Sequence, residues 1–217
     1  MEYVKICGLK DLESVKLCND YGADAVGFIY NVPSSPRNLN HSRLLSLLSK
    51  VPNGLKKVIV LKPSNLKELK NTINQLDADY YQIHTNFNLC TLLMLPIKIR
   101  RRVIVGLKIN ERNINYVIHL INKLNNHIYA FLIDNSEGHG NRLDENLLKK
   151  FYNRIKGAKF ILAGGIDISN VESIIRNFEP YGIDVSSSVE SARGEKDPTK
   201  IIKFLKKVQN VKGLVDN

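Results

Sequence analysis

Eight short apolar, β-branched runs recur along the whole chain, and the segments between them have helical rather than strand periodicity. The runs are VKIC (Val4–Cys7), AVGFIY (Ala25–Tyr30), KVIVL (Lys57–Leu61), YYQIH (Tyr80–His84), RVIVGLK (Arg102–Lys108), IYAFLID (Ile128–Asp134), KFILA (Lys159–Ala163) and GIDVSS (Gly182–Ser187). Among the intervening segments, SRLLSLLSKV carries Leu44, Leu45, Leu47 and Leu48 against a polar face. SNLKELKNTINQL spaces Leu66, Leu69, Ile73 and Leu76 by three and four, with Ser64 as expected N-cap. NERNINYVIHLINKL and TKIIKFLKKV repeat the pattern with Ile114, Val117, Ile118, Ile121, Leu124 and with Ile201, Ile202, Phe204, Leu205, Val208. Eight strand–helix units averaging roughly 27 residues predict a lean (β/α)8 barrel over residues 1–217, a single α/β domain with no Pro- or Ser-rich linker. A doubly wound open sheet is the alternative, but it usually has fewer strands and a Gly-rich first turn. YGAD (Tyr21–Asp24) and YGID (Tyr181–Asp184) read as an internal echo, each ending a helix, turning on glycine and entering a strand.

A barrel sorts its residues by height. Chemistry sits at the C-terminal ends of the strands, while the opposite rim contributes stability. The candidates are therefore Cys7, the loop through Arg37, Lys62, His84, Lys108, Asp134, Gly164–Gly165 and Asp184–Ser187. The dense basic run KIRRR (Lys98–Arg102) precedes the fifth strand, so it falls on the other rim and is discounted.

That placement bears on the net charge of +11, which by itself invites a nucleic-acid reading. The lysines are spread over the whole length, Trp is absent, and no base-stacking motif is present. A solvated basic surface results, one that also suits a small anionic substrate. No run approaches a membrane span, and the first ten residues lack the layout of a secretory signal. Three scattered cysteines fit a reducing compartment, and the expectation is a cytoplasmic protein. No Cys/His/Asp set has metal-ligand spacing, so no metal is expected, and no nucleotide loop or nucleophile elbow is found.

Two strand ends carry a phosphate signal. LAGGID closes the seventh run with Gly164 and Gly165, and DVSSSVESARG closes the eighth with three serines, Ser186, Ser187 and Ser188. In barrels a phosphate often lies between these two loops, held by backbone N–H groups. Asp134, at the mouth of an apolar strand, is expected to hold its proton and suits a general acid, or else it caps a loop or pairs with Arg142. Cys7 is either an inert buried thiol or a reagent. Alternation puts Lys5 on its side of the strand, where it either favours thiolate or snorkels away. His84 meets a substrate or satisfies local backbone.

The motifs in their order resemble the phosphoribosylanthranilate isomerase family. KICGL (Lys5–Leu9), GADAVGFIY…SPR (Gly22–Arg37), QIHT (Gln82–Thr85), LAGGI (Leu162–Ile166) and GIDVSSSVESARGEKD (Gly182–Asp197) carry the resemblance over nearly the whole chain. It implies a cofactor-free Amadori rearrangement of N-(5-phosphoribosyl)anthranilate, in a protein that is a monomer or homodimer. It further implies Cys7 as general base, Asp134 as general acid and Arg37 facing the anthranilate carboxylate. Gly164, Gly165, Ser186 and Ser187 would then hold phosphate, with His84 and Asp184 as further substrate-binding groups.

The pattern is not matched everywhere. Lys10 stands where the family has Thr or Ser, Thr85 and Ser188 where it has Gly, and EGHGNRLDE (Glu137–Glu145) replaces a Gly-Gly-Thr-Gly loop. The related aminoimidazole ribotide isomerase performs the same rearrangement with two aspartates, one of them where this chain has Cys7. Indole-glycerol-phosphate synthase needs a catalytic lysine set. A basic barrel that binds nucleic acid or a partner protein predicts no such Cys/Asp/Arg constellation.

Overall fold

A computed structural model of the chain describes residues 1–134, 144–155 and 157–215. Eight parallel strands form the barrel: β1 (Tyr3–Cys7), β2 (Ala25–Tyr30), β3 (Lys56–Leu61), β4 (Tyr80–Ile83), β5 (Val103–Leu107), β6 (Ala130–Asp134), β7 (Phe160–Ala163) and β8 (Gly182–Val185). Each pairs with the next, and β8 pairs back onto β1 with Lys5 opposite Asp184, so the sheet is closed. All eight expected runs are strands. The last stops at Val185 rather than Ser187, because the backbone leaves the extended region at Ser186 (φ −135°, ψ −75°) to enter a 3-10 turn, Ser187–Val189.

The helices are α1 (Leu12–Asp20), α2 (His41–Leu48), α3 (Leu66–Gln75), α4 (Ile97–Arg100), α5 (Ile114–Leu124), α6 (Glu145–Tyr152), α7 (Val171–Phe178) and α8 (Pro198–Val215). The fourth unit departs from the repeat. Its connection is a 3-10 stretch, Leu89–Met94, then Pro96 and one turn of α4, since a proline cannot donate the helical hydrogen bond that would join them. The cap of α3 is Asn65, not Ser64: the Asn65 side chain accepts from the Glu68 N–H, and the Glu68 carboxylate accepts the Ser64 N–H. On α2, Leu44, Leu47 and Leu48 are buried but Leu45 is 44% exposed, one position off the buried stripe.

The echo between YGAD and YGID also fails in part. Gly22 does turn the chain after α1, at φ +78°. After α7 the left-handed position belongs to Glu179 (φ +41°), and Gly182 is already strand. Glycine is needed there for space, since a Cβ would sit 2.5 Å from the Tyr3 carbonyl oxygen.

The outward sides of the strands pack against the helices in one large apolar core. Inside the ring, Ala25, Val58, Ile104, Ala130, Leu132 and Ile161 fill the space with a second core. The N-terminal end is closed by aromatic rings at the starts of four strands. Tyr80 stacks on Tyr129 with centroids 4.0 Å apart, Tyr129 meets Tyr181 edge-on, and Tyr181 stacks on Tyr3. The Tyr129 and Tyr181 hydroxyls lie 2.7 Å apart, and the Lys159 ammonium sits over both rings. KIRRR lies at this closed end, where Arg102 donates to the Ala78 carbonyl and the Asp77 carboxylate. No helix among the described residues is long and apolar enough to cross a membrane.

Candidate active site

With one end filled by tyrosines, the strand ends at the other surround a cavity of about 320 Å³. Cys7, Arg37, His84, Asp134, Gly164, Gly165, Asp184, Ser186 and Ser187 all line it. Lys62 lines it too, whereas Lys108, the remaining strand-end candidate, does not. Alternation explains the convergence: on β1 the inward residues are Tyr3, Lys5 and Cys7, so the thiol is the last inward group before the mouth.

Cys7 is almost fully buried, as is Lys5, which does not snorkel: it is 0% exposed. The Lys5 ammonium donates to Asp184 Oδ2 at 2.8 Å. Burial pushes the Cys7 thiol up, and Asp184 adds to that, while Lys5 and then Lys196 pull it back; the net direction is up. Burial alone would lower Lys5, but Asp184 and Cys7 outweigh it and the ammonium is held above its usual value. Asp184 is raised, chiefly by burial and further by Asp134, against the pull of Lys5.

Arg37 reaches the mouth because the chain after β2 folds back beside it. The pair Asn38–Leu39 runs parallel to Ile29–Tyr30 and fixes the preceding residue. Gly8, at φ +79°, leaves the path open: a Cβ there would lie 2.4 Å from Arg37 Cδ. The guanidinium is buried and bound in bidentate fashion by Glu190. Glu190 also accepts from Lys196 at 2.8 Å and from the Gly194 N–H at 3.0 Å. Burial alone would raise the Glu190 carboxyl, but those hydrogen bonds outweigh it and hold it at about 2.

His84 lies beside Gln82, whose amide nitrogen is 2.9 Å from His84 Nε2; the amide donates, so that ring nitrogen accepts. The phosphate-loop glycines have positive φ, +86° at Gly164 and +66° at Gly165. The Ser186 hydroxyl donates to the Cys7 carbonyl and is approached by Lys196, so it braces β8 against β1. Three buried polar atoms at the cavity have no partner among the described residues: Gln82 Oε1, Asp184 Oδ1 and Ser188 Oγ. Of the departures, Lys10 reaches outward to Glu195, Thr85 donates to the Pro63 carbonyl, and Ser188 faces the site. Residues 135–143, including Arg142 and most of EGHGNRLDE, lie outside the described residues. No group of three or more His, Cys, Asp or Glu among the described residues could hold a metal ion.

Glu190, Lys196 and Gln82 are not marked as site residues by the sequence reading. All three sit inside quoted motifs, so a signal existed. What was missing was the pairing of Arg37 with a carboxylate 153 residues away.

A closed parallel barrel with its ionisable groups gathered on the C-terminal rim defines a (β/α)8-barrel enzyme. Residues 4–207 match the family described as N-(5'phosphoribosyl)anthranilate (PRA) isomerase, and the chain belongs to this family of isomerases. A relative named N-(5'-phosphoribosyl)anthranilate isomerase from Leptospira interrogans is 32% identical over 211 residues, covering 95% of this chain and 94% of its own. One of the same name from Staphylococcus epidermidis is 34% identical over 212 residues, covering 94% and 98%. A crystal structure of phosphoribosyl anthranilate isomerase in complex with reduced 1-(o-carboxyphenylamino)-1-deoxyribulose 5-phosphate has a TM-score of 0.80 at 25% identity, covering 97% of this chain and 100% of the other.

Proposed function

We propose that the chain converts N-(5-phosphoribosyl)anthranilate to 1-(2-carboxyphenylamino)-1-deoxyribulose 5-phosphate in tryptophan biosynthesis, with Asp134 as general acid and Cys7 as general base. The observation that carries the reading is that Cys7 on β1 and Asp134 on β6 face one cavity across its mouth. One group can then give a proton to one part of a bound sugar while the other takes a proton elsewhere.

The chemistry requires that division. Opening the ribose ring needs a proton on the ring oxygen, supplied by Asp134. The resulting iminium acidifies the C2′ hydrogen, which the Cys7 thiolate removes as a proton. The enolamine so formed tautomerises to the ketone. Each proton-transfer group contributes roughly 10²–10⁴ in rate, or about 3–5.5 kcal/mol.

Binding follows from what the cavity offers. The phosphate lies between Gly164–Gly165 and Ser187–Ser188, with Ser186 contributing its backbone because its hydroxyl already serves the Cys7 carbonyl. The unpartnered acceptors Asp184 Oδ1 and Gln82 Oε1 suit the hydroxyls of a sugar, and His84 lies beside them. Arg37 meets the anthranilate carboxylate with the N–H edge that Glu190 leaves open. Lys62 and Arg193 at the lip add positive charge toward an anionic substrate. The relative crystallised with a reduced deoxyribulose phosphate has the same barrel, which supports a sugar phosphate here.

The test uses the fluorescence of the anthranilate group, which turnover should extinguish. Cys7→Ser and Asp134→Asn should each cut kcat by at least ~10² with the fold intact. Near-full activity in either variant removes that residue's role. Absence of turnover in the wild type removes the substrate assignment.

A further inference from the structure

A lysine with no exposure at all, inside a ring filled mostly by alanine, valine, isoleucine and leucine, needs an explanation. Burying an ion pair costs desolvation on both charges, and a hydrophobic pair of the same volume is often as stable. Packing alone therefore does not account for Lys5 and Asp184. Their placement relative to the thiol does.

The register sets Lys5 directly opposite Asp184 on β8, and Cys7 opposite Gly27 on β2. Gly27 has no side chain to turn inward, and its vacant volume is shared. A Cβ built there would lie 2.8 Å from Lys5 Cε, 3.0 Å from Lys5 Nζ and 2.9 Å from Cys7 Sγ. The ammonium and the sulfur thus border one point and lie no more than about 6 Å from each other. Asp184 holds the ammonium with its Oδ2 at 2.8 Å.

We propose that Lys5, anchored by Asp184 and given its space by Gly27, is the positioning residue of the reactive thiol, fixing the Cys7 sulfur and stabilising its anion. This rests on the reading of Cys7 as the base. A thiolate in a buried site needs a counter-charge that itself keeps its proton, and Lys5 meets that condition, because its own burial is outweighed by Asp184 and Cys7. The charged and titratable groups that act on Cys7 are Lys5 and Tyr3 from β1, Arg37 from the loop after β2, Asp184 from β8 and Lys196 from the segment beyond. Of these, Lys5 lowers the thiol most, Lys196 helps less, and Asp184 opposes. Removing the Lys5 charge should therefore move ionisation of the thiol to higher pH. Removing Lys5 and Asp184 charges together should move it the same way by less.

The measurement is the pH dependence of iodoacetamide alkylation at Cys7, read by mass spectrometry of its peptide in the full chain. Cys18 does not interfere, because it is buried and its thiol is pushed up to about 12. In Lys5→Met the midpoint should rise by at least about one pH unit. The ascending limb of kcat should follow it while KM changes less than kcat. If Lys5→Met does not fold, Lys5→Met/Asp184→Asn, which leaves neither charge unpaired, carries the comparison and should also shift upward. Alkylation of the folded variants on the wild-type pH curve overturns the proposal. Full turnover by Cys7→Ala would instead remove the base reading, and the alkylation curve would still report on Lys5.

Discussion

Arg37 Nε lies 2.6 Å from Glu190 Oε1, and Arg37 Nη2 lies 2.8 Å from Glu190 Oε2, so this arginine grips a carboxylate of its own chain before it meets a substrate. Glu190 takes Nε and Nη2 of the fork and leaves Nη1 outside this pair. Lys196 shares the same carboxylate, which makes Glu190 the joint between the loop after β2 and the segment after β8.

Glu190→Ala should therefore act first on stability. It leaves two buried cations without their partner, a loss of about 3–5 kcal/mol. Urea denaturation followed by circular dichroism measures it, and an unchanged midpoint would show that the joint carries no weight.

Arg37→Lys should raise KM with little change in kcat, because a lysine keeps the charge but lacks the planar fork. Steady-state kinetics on the fluorescent substrate separate the two constants. A fall in kcat with KM unmoved would place Arg37 at the reacting atoms instead.

The Glu190 carboxyl also sets an acid limit. Its folded-state value of about 2 lies below the ordinary glutamate value of about 4.3, so its contribution is fully present above that ordinary value. As pH falls from about 4.3 toward 2, the unfolded chain takes up a proton that the folded chain refuses, and stability declines. Thermal melts of wild type and Glu190→Gln should converge across this window, because the glutamine variant has no carboxylate at this position to lose.

Ser188→Gly should raise KM roughly tenfold or more, the worth of one hydrogen bond to a charged group, and leave kcat within about a factor of two. The Ser188 hydroxyl is buried at the cavity without a partner among the described residues, so it is ready to donate to a phosphate oxygen. An unchanged KM would mean that the phosphate does not reach it.

Gly182→Ala tests the frame rather than the site. A Cβ 2.5 Å from the Tyr3 carbonyl oxygen forces β1 and β8 apart, a strain of about 1–3 kcal/mol. For a chain of this size that lowers Tm by roughly 3–10 °C.

The sequence marked the rim well because a barrel turns strand order into position. Cys7 and Asp134 each end an apolar run, and closure of the sheet brings those ends to one mouth. Alternation correctly put Lys5 on the side of Cys7. It says which face a residue takes but not how deep it lies or what it meets, so snorkelling stayed open until β8 supplied Asp184. Glu190 escaped for a related reason. It follows the last barrel strand on a short hairpin, Glu190–Ala192 with Glu195–Lys196, that has no periodicity to announce it, and its partner is remote in sequence. Ser64 and Leu45 were single-position errors, at a helix end where two candidate caps adjoin and on a short helix whose apolar stripe is narrow.

The tyrosine plug gives the molecule an optical separation between frame and chemistry. The chain has no tryptophan, and four of its nine tyrosines are gathered in that plug. Tyrosine emission therefore includes the closed end of the barrel, while an anthranilate absorbs and emits further to the red from the open end. Melting of the base and turnover at the mouth can be followed at two wavelengths in one cuvette, so a variant that loosens the barrel is told apart from one that only stops the reaction.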